Sequence, residues 1–187
     1  NPIAPKINSK VLFKITDMDN RNRFKNAEKL VKLMKYYGID GLGVNSEFYT
    51  SGGVMTQLMA FFEECHKKAK EIGWEFQLYW YDGTNESGSK NFDQGLGDHN
   101  KRIFGRKGRE VTDMMFANYG WSERTLAKSV RTAGELERNS YDYYAGFDIQ
   151  ARGVKNVNWK DLLKHKISIG FWGAHSQSLI HQSATDN

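Results

Sequence analysis

Two hydrophobic periods take turns along this chain. Ala27, Leu30, Leu33, Met34 and Tyr37 fall on one helical face, with Asn26 placed to cap its start and Gly38 to end it. Ile39 to Asn45 is then short, apolar and glycine-bearing, the pattern of a buried parallel strand. Met55, Leu58, Met59, Phe62, His66 and Ala69 mark a second helix that ends near Gly73, and Trp74–Tyr81 reads as the next strand. A polar, glycine-bearing loop runs from Asp82 to Asp93. Thr112–Asn118 predicts a third strand, residues 122–138 a less amphipathic helix, and Tyr143–Gln150 a fourth strand. A short helix at Trp159–Leu163 and a fifth strand at Ile167–Trp172 complete the series. Residues 1–22, apart from Val11-Leu12-Phe13, and residues 177–187 read as irregular.

Strands that alternate with helices imply βαβ units and a parallel sheet within a single α/β domain spanning residues 1–187. Neither a GxGxxG nor a GxxxxGK[ST] stretch is present to favour a nucleotide-binding open sheet. Polar and aromatic residues instead collect at successive strand ends. Asn45 and Glu47 end the first, Tyr81 and Asp82 the second, and Asn118 and Trp121 the third. Asp148 and Gln150 end the fourth, and Trp172 and His175 the fifth. A TIM-type (β/α) barrel gathers its chemistry at that rim. About five strands are found against the eight of a complete barrel, so a partial barrel with two open edges is expected.

Composition narrows the function. The net charge of +5 comes without a nucleic-acid motif, so a solvated basic face is the reading and no nucleic-acid partner is expected. The single cysteine, Cys65, rules out a disulfide within the chain and a cysteine zinc set. Asp17, Asp19, Asn20 and Asn22 lack the glycine and glutamate of an EF-hand loop. No metal, cofactor or membrane span is expected. Aromatic residues make up 13% of the chain, and some of them are available to stack on sugar rings.

Asn45 and Glu47 are two apart, which places both side chains on one side of an extended chain. Glycoside hydrolysis usually employs two carboxylates. A carboxylate beside an amide suits a sugar whose own 2-acetamido oxygen attacks the anomeric carbon. The amide then orients the acetamido group, and the carboxyl protonates the leaving oxygen and deprotonates water. Asp148 and Gln150 are placed to hydrogen-bond sugar hydroxyls. Trp80, Asp82, Asn118, Trp121 and Trp172 complete a candidate substrate-binding set around Tyr81.

At these residues the sequence resembles glycoside hydrolase family 85, the endo-β-N-acetylglucosaminidases. The resemblance runs through Tyr37-Gly38-Ile39-Asp40-Gly41, Val44-Asn45-Ser46-Glu47, Trp80-Tyr81-Asp82 and Leu96-Gly97-Asp98-His99-Asn100. It continues in Phe116-Ala117-Asn118-Tyr119-Gly120-Trp121 and Tyr143-Tyr144-Ala145-Gly146-Phe147-Asp148-Ile149-Gln150. These motifs stand in the family's order over residues 27–175. Gly41-Leu42-Gly43 departs from the pattern, because an aromatic is common there.

The resemblance implies cleavage within the diacetylchitobiose core of N-linked glycans, with retention through an oxazoline and a capacity for transglycosylation. It implies Glu47 as acid/base, Asn45 as the acetamido-positioning group, Tyr81 as the hydroxyl beside that ring and Trp121 as a wall of the cleft. The expected partners are the N-glycan of a glycoprotein and the remainder of the barrel, from the same protein or another chain. An extracellular or cell-surface location is favoured over the cytoplasm. A glycan-binding module without turnover and a family 18-type chitinase-like hydrolase are the competing readings. Residues 40–47 carry Asp40 and Glu47 but lack the intervening acids of the latter's DxxDxDxE motif.

Overall fold

The computed structural model describes residues 14–150 and 159–173. Helix α1 (Ala27–Tyr37) ends at Gly38, whose left-handed backbone (φ 65°) lets its amide close back on the last helical turn. The Asn26 side chain does not cap this helix. Its Nδ2 donates instead to the carbonyls of Lys14 and Ile15. Strand β1 (Gly41–Val44) follows, then the long helix α2 (Gly52–Glu71), whose Ser51 cap accepts from the Val54 amide, then β2 (Gln77–Tyr81).

Beyond β2 come a short helix α3 (Lys101–Phe104) and a two-strand hairpin, β3 (Gly105–Arg106) and β4 (Arg109–Glu110), none of which the sequence pattern predicts. Strand β5 (Met114–Phe116), helix α4 (Glu123–Glu135), strand β6 (Tyr143–Asp148), helix α5 (Trp159–Leu162) and strand β7 (Ser168–Trp172) complete the order. The predicted strands are present but shorter than read.

Five strands form one parallel sheet in the order β1-β2-β5-β6-β7. Sequential neighbours pair, as right-handed βαβ connections favour. Alternation then divides the sheet into two faces. Val44, Leu78, Trp80, Met115, Tyr143, Ala145 and Phe147 are buried in the core on the helix side. There Trp80 meets Phe62 of α2 at 6.3 Å, and Phe147 stacks on Trp159 of α5 at 5.1 Å.

The other face carries Gly43, Tyr79, Tyr81, Phe116, Tyr144, Gly146 and Gly170. The Phe116 ring lies across the two β6 and β7 glycines, where a Cβ would stand 2.6 and 2.2 Å from it. Tyr79, on the same face, is 41% exposed. Apolar side chains also stand exposed at both ends of the arc: Leu33 and Ile39 beside β1, and Ile169 and Phe171 on β7.

The Asp17–Asn22 loop uses its acids internally. Asp19 accepts from the Arg21 and Arg23 amides and from the Arg23 guanidinium, contacts that hold its carboxyl down at about 2. Cys65 is buried in the core, where desolvation pushes its thiol up to about 12 and makes it unreactive. No helix among the described residues is long and apolar enough to cross a membrane.

Candidate active site

The C-terminal ends of the strands converge on a cleft of about 240 Å³ lined by Asn45, Glu47, Tyr81, Tyr119, Asp148, Gln150 and Trp172. Two of these ends share one construction. After β1, the Glu47 amide donates to the Asn45 carbonyl at 2.9 Å, a γ-turn centred on Ser46. After β2, the Gly83 amide donates to the Tyr81 carbonyl at 2.8 Å, a γ-turn centred on Asp82. In each turn the outer residue faces the cleft and the central polar side chain is buried behind it.

Ser46 Oγ donates to the Tyr81 carbonyl and accepts from the Gly83 and Thr84 amides at 3.3 and 3.1 Å. Thr84 Oγ1 lies 2.5 Å from the Ser46 carbonyl and 2.6 Å from that of Phe48, and accepts from the Phe48 amide at 3.2 Å. Ser46 and Thr84 are both fully buried, so these bonds carry much of the polar satisfaction of this region. They tie the segment bearing Asn45 and Glu47 to the strand end bearing Tyr81. Gly83 is needed for this approach, since a Cβ there would lie 2.5 Å from the Ser46 carbonyl oxygen.

Tyr81 is held on three sides. Its ring stacks on Trp172 (6.4 Å, 25°), packs against Phe92 at 6.2 Å and meets Tyr119 at 6.2 Å. The Tyr81 and Tyr119 hydroxyls are hydrogen-bonded to each other. Burial, with the Glu47 carboxylate adding to it, pushes the Tyr81 phenol up to about 12. Burial and then Tyr81 raise Tyr119 further still. Both phenols are therefore neutral near pH 7. The phenol pair shares two protons, one for the bond between them and one that either hydroxyl can offer to the cleft. Glu47 stands exposed at the open side of the same cleft.

Four residues expected at the cleft lie elsewhere. Trp80 points to the helix side, 1% exposed, edge-on to Phe48 and Phe62. Asp82 is equally buried. Its Oδ1 accepts from Asn100 Nδ2 at 3.0 Å, while Oδ2 has no partner among the described residues. Burial pushes its carboxyl up to about 7, against the pull of Asn100 and of the Gln94 amide. Asn118 is absent from the residues lining the cleft, and its Oδ1 accepts from the Tyr119 amide. Trp121 packs edge-on to Phe147 on the helix side, with Nε1 donating to the Gly146 carbonyl at 2.9 Å, so it is no wall of this cleft. His175 lies outside the described residues.

Tyr119 and Phe92 enter the site unannounced by the pattern. β5 stops at Phe116, so alternation no longer fixes which later side chain turns inward, and Tyr119 arrives where Asn118 was expected. Among the described residues no group of three or more His, Cys, Asp or Glu could hold a metal ion.

The chain is similar to the cytosolic endo-beta-N-acetylglucosaminidase of Homo sapiens, with 27% identity over 72% of this chain and 17% of that protein. It is similar to cytosolic endo-beta-N-acetylglucosaminidase 1 of Arabidopsis thaliana, with 29% identity over 68% of this chain and 18% of that protein. It thus spans less than a fifth of the length of these relatives. The solved glycoside hydrolase domain of Endo-D (Spr0440) from Streptococcus pneumoniae R6 superimposes with a TM-score of 0.85 at 25% identity, over 92% of this chain and 28% of that one. The expected extracellular location is corrected here: the human, chicken, Arabidopsis and mouse relatives are all cytosolic by name. A family model, Glycosyl hydrolase family 85, matches residues 3–186, and the chain belongs to that family.

Proposed function

We propose that this chain carries the catalytic residues of an endo-β-N-acetylglucosaminidase. The reaction is hydrolysis of the GlcNAc-β-1,4-GlcNAc core of N-linked glycans, leaving one GlcNAc on the protein. The observation that carries the reading is the pairing of Asn45 with Glu47 on one cleft, beside the Tyr81 hydroxyl. Glu47 protonates the departing oxygen while the substrate's acetamido oxygen attacks the anomeric carbon from the opposite face. The Asn45 amide accepts from the acetamido N–H and holds it in line. Tyr81 donates to the same group as charge develops on the oxazoline. Glu47, now a carboxylate, takes the proton of the water that opens the ring, so both inversions together give retention. A sugar hydroxyl in place of that water gives transglycosylation. Trp172, Asp148 and Gln150 bind the sugar carrying the reacting carbon. The family 18-type reading finds no support at residues 40–47, and a module without turnover has no use for the Asn45–Glu47 pairing.

The five-stranded arc is one part of a complete (β/α) barrel in this account. Its open edges, its exposed apolar side chains and the length of its relatives support this. The remaining strands would come from the same protein or another chain. The cytoplasm is the location the relatives favour.

Asp148 brings a second carboxylate to the cleft, so a conventional two-carboxylate mechanism is the competing chemistry. A ring-closed GlcNAc-thiazoline, which mimics the oxazoline, separates the two. Substrate assistance predicts inhibition that weakens about a hundredfold or more in Asn45→Ala. Inhibition that is indifferent to Asn45 and abolished in Asp148→Asn would favour the two-carboxylate route.

A further inference from the structure

Next to the segment that carries Glu47, a second group of aromatic and cationic side chains stands ready-made. Burial alternates through Ser46, Glu47, Phe48 and Tyr49, so Tyr49 emerges with Glu47 while Phe48 is buried against Trp80. Tyr49 is 68% exposed. The Lys90 ammonium sits over the Tyr49 ring at 5.5 Å and over the Phe92 ring at 5.7 Å. The Phe92 ring in turn packs on Tyr81. A continuous line of rings and one cation therefore leads from the catalytic hydroxyl to solvent.

The group is held firmly. Lys90 bridges to Thr84 in antiparallel fashion, and the Asn91 and Phe92 amides both donate to the Gly83 carbonyl. The Thr50 amide donates to the Gly88 carbonyl at 2.8 Å. Phe92 keeps a left-handed backbone (φ 48°), an unfavourable conformation for an aromatic residue, and Gln94 does the same (φ 61°). Such strain persists only where surrounding contacts impose it, and it gathers at ligand sites. No carboxylate among the described residues forms an ion pair with Lys90, so its ammonium keeps donors to offer.

We propose that Tyr49, Lys90 and Phe92 form an accessory shelf that binds a neutral pyranose ring of the glycan, outside the sugar held at Tyr81. The exposed face of Tyr49 stacks on the apolar face of the ring. Lys90, fixed by the two aromatic faces, donates to its hydroxyls. This inference rests on the proposed glycosidase reading and adds to it a determinant of glycan length.

The test compares two substrates in the full-length protein: an N-glycan with its outer mannose residues, and the same glycan trimmed to the core. Tyr49→Ala and Lys90→Met are each expected to raise KM for the longer glycan about tenfold, more than for the trimmed one, so that the preference for length is lost. Tyr49→Phe retains the preference. A length preference that survives both variants overturns the shelf, as does an equal rise in KM on both glycans. If the unaltered protein cleaves neither glycan, the glycosidase reading fails. Titration with free mannose oligosaccharides then decides the shelf alone, by whether Tyr49→Ala loses binding.

Discussion

At the scale of single residues, the two buried turn centres matter as much as the groups that face the cleft. Ser46 and Asp82 occupy equivalent places behind Asn45/Glu47 and Tyr81, yet they are satisfied unequally. Removing the Ser46 hydroxyl takes the acceptor from the Thr84 amide and the buried donor from the Tyr81 carbonyl, while the Gly83 amide keeps its bond to that carbonyl. Ser46→Ala is therefore expected to cost about 1–3 kcal/mol in urea unfolding and to lower kcat more than it raises KM. Asp82 carries the opposite imbalance, a buried oxygen without a partner and a carboxyl held at about 7. Its folded pKa lies above the unfolded value of 3.8, so its contribution is fully present below about pH 4. That contribution is lost as pH rises through 7, by on the order of 4 kcal/mol. Asp82→Asn should flatten stability between pH 4 and 8 and raise it at pH 8 by about 2 kcal/mol, as denaturant unfolding at both pH values would show. An unchanged pH slope would mean that Asp82 is ionised in the fold. Tyr81 was legible because it lies in β2, where alternation holds; Asn45 and Glu47 stand beyond β1, where the γ-turn at Ser46, and not extended alternation, brings both to the cleft. Trp80 and Asp82 were not legible, because alternation gives two faces without saying which one the cleft occupies. Asn118 and Trp121 fall beyond the end of β5, where the rule lapses.

At the scale of elements, the five strands could be read because glycines and apolar runs bracket them. The β3–β4 hairpin could not, since strands of two residues carry no period. The expectation of a less amphipathic helix over 122–138 is corrected: helix α4 separates its polar and apolar faces sharply, and its buried face includes Ser129 and Thr132 beside Leu126 and Ala133. Ser129 is buried because it works, accepting from the Leu96 amide at 2.9 Å and donating to the Thr125 carbonyl at 2.7 Å. That pairing joins the Leu96–Asn100 motif to the helix after β5, a connection no local pattern reveals. The start of α4 is better defined. Ser122 and Thr125 form a reciprocal capping box, so Ser122→Ala should lower stability by about 1 kcal/mol in thermal unfolding. Ser122→Asp should leave it nearly unchanged.

At the scale of the whole molecule, a five-stranded parallel arc is incomplete by its own physics. Parallel strands normally have both faces and both edges covered. Here Ile169 and Phe171 on β7 stand 36% and 52% exposed. If further strands and helices close over this edge, Phe171→Ala in the full-length protein should cost about 3–5 kcal/mol. If the edge faces water, the same change should cost under about 0.5 kcal/mol. Leu163, 77% exposed on the loop before β7, provides the comparison. The cleft itself belongs to this scale, because its residues come from the ends of β1, β2, β5, β6 and β7 together. The most direct measurement of the central claim is release of glycan from an N-glycosylated protein by the full-length enzyme and by its Glu47→Gln variant, read by the mass of both products. The account predicts a single GlcNAc left on the protein by the unaltered enzyme and a rate lower by about a thousandfold or more in Glu47→Gln. Full glycan release by Glu47→Gln would contradict it.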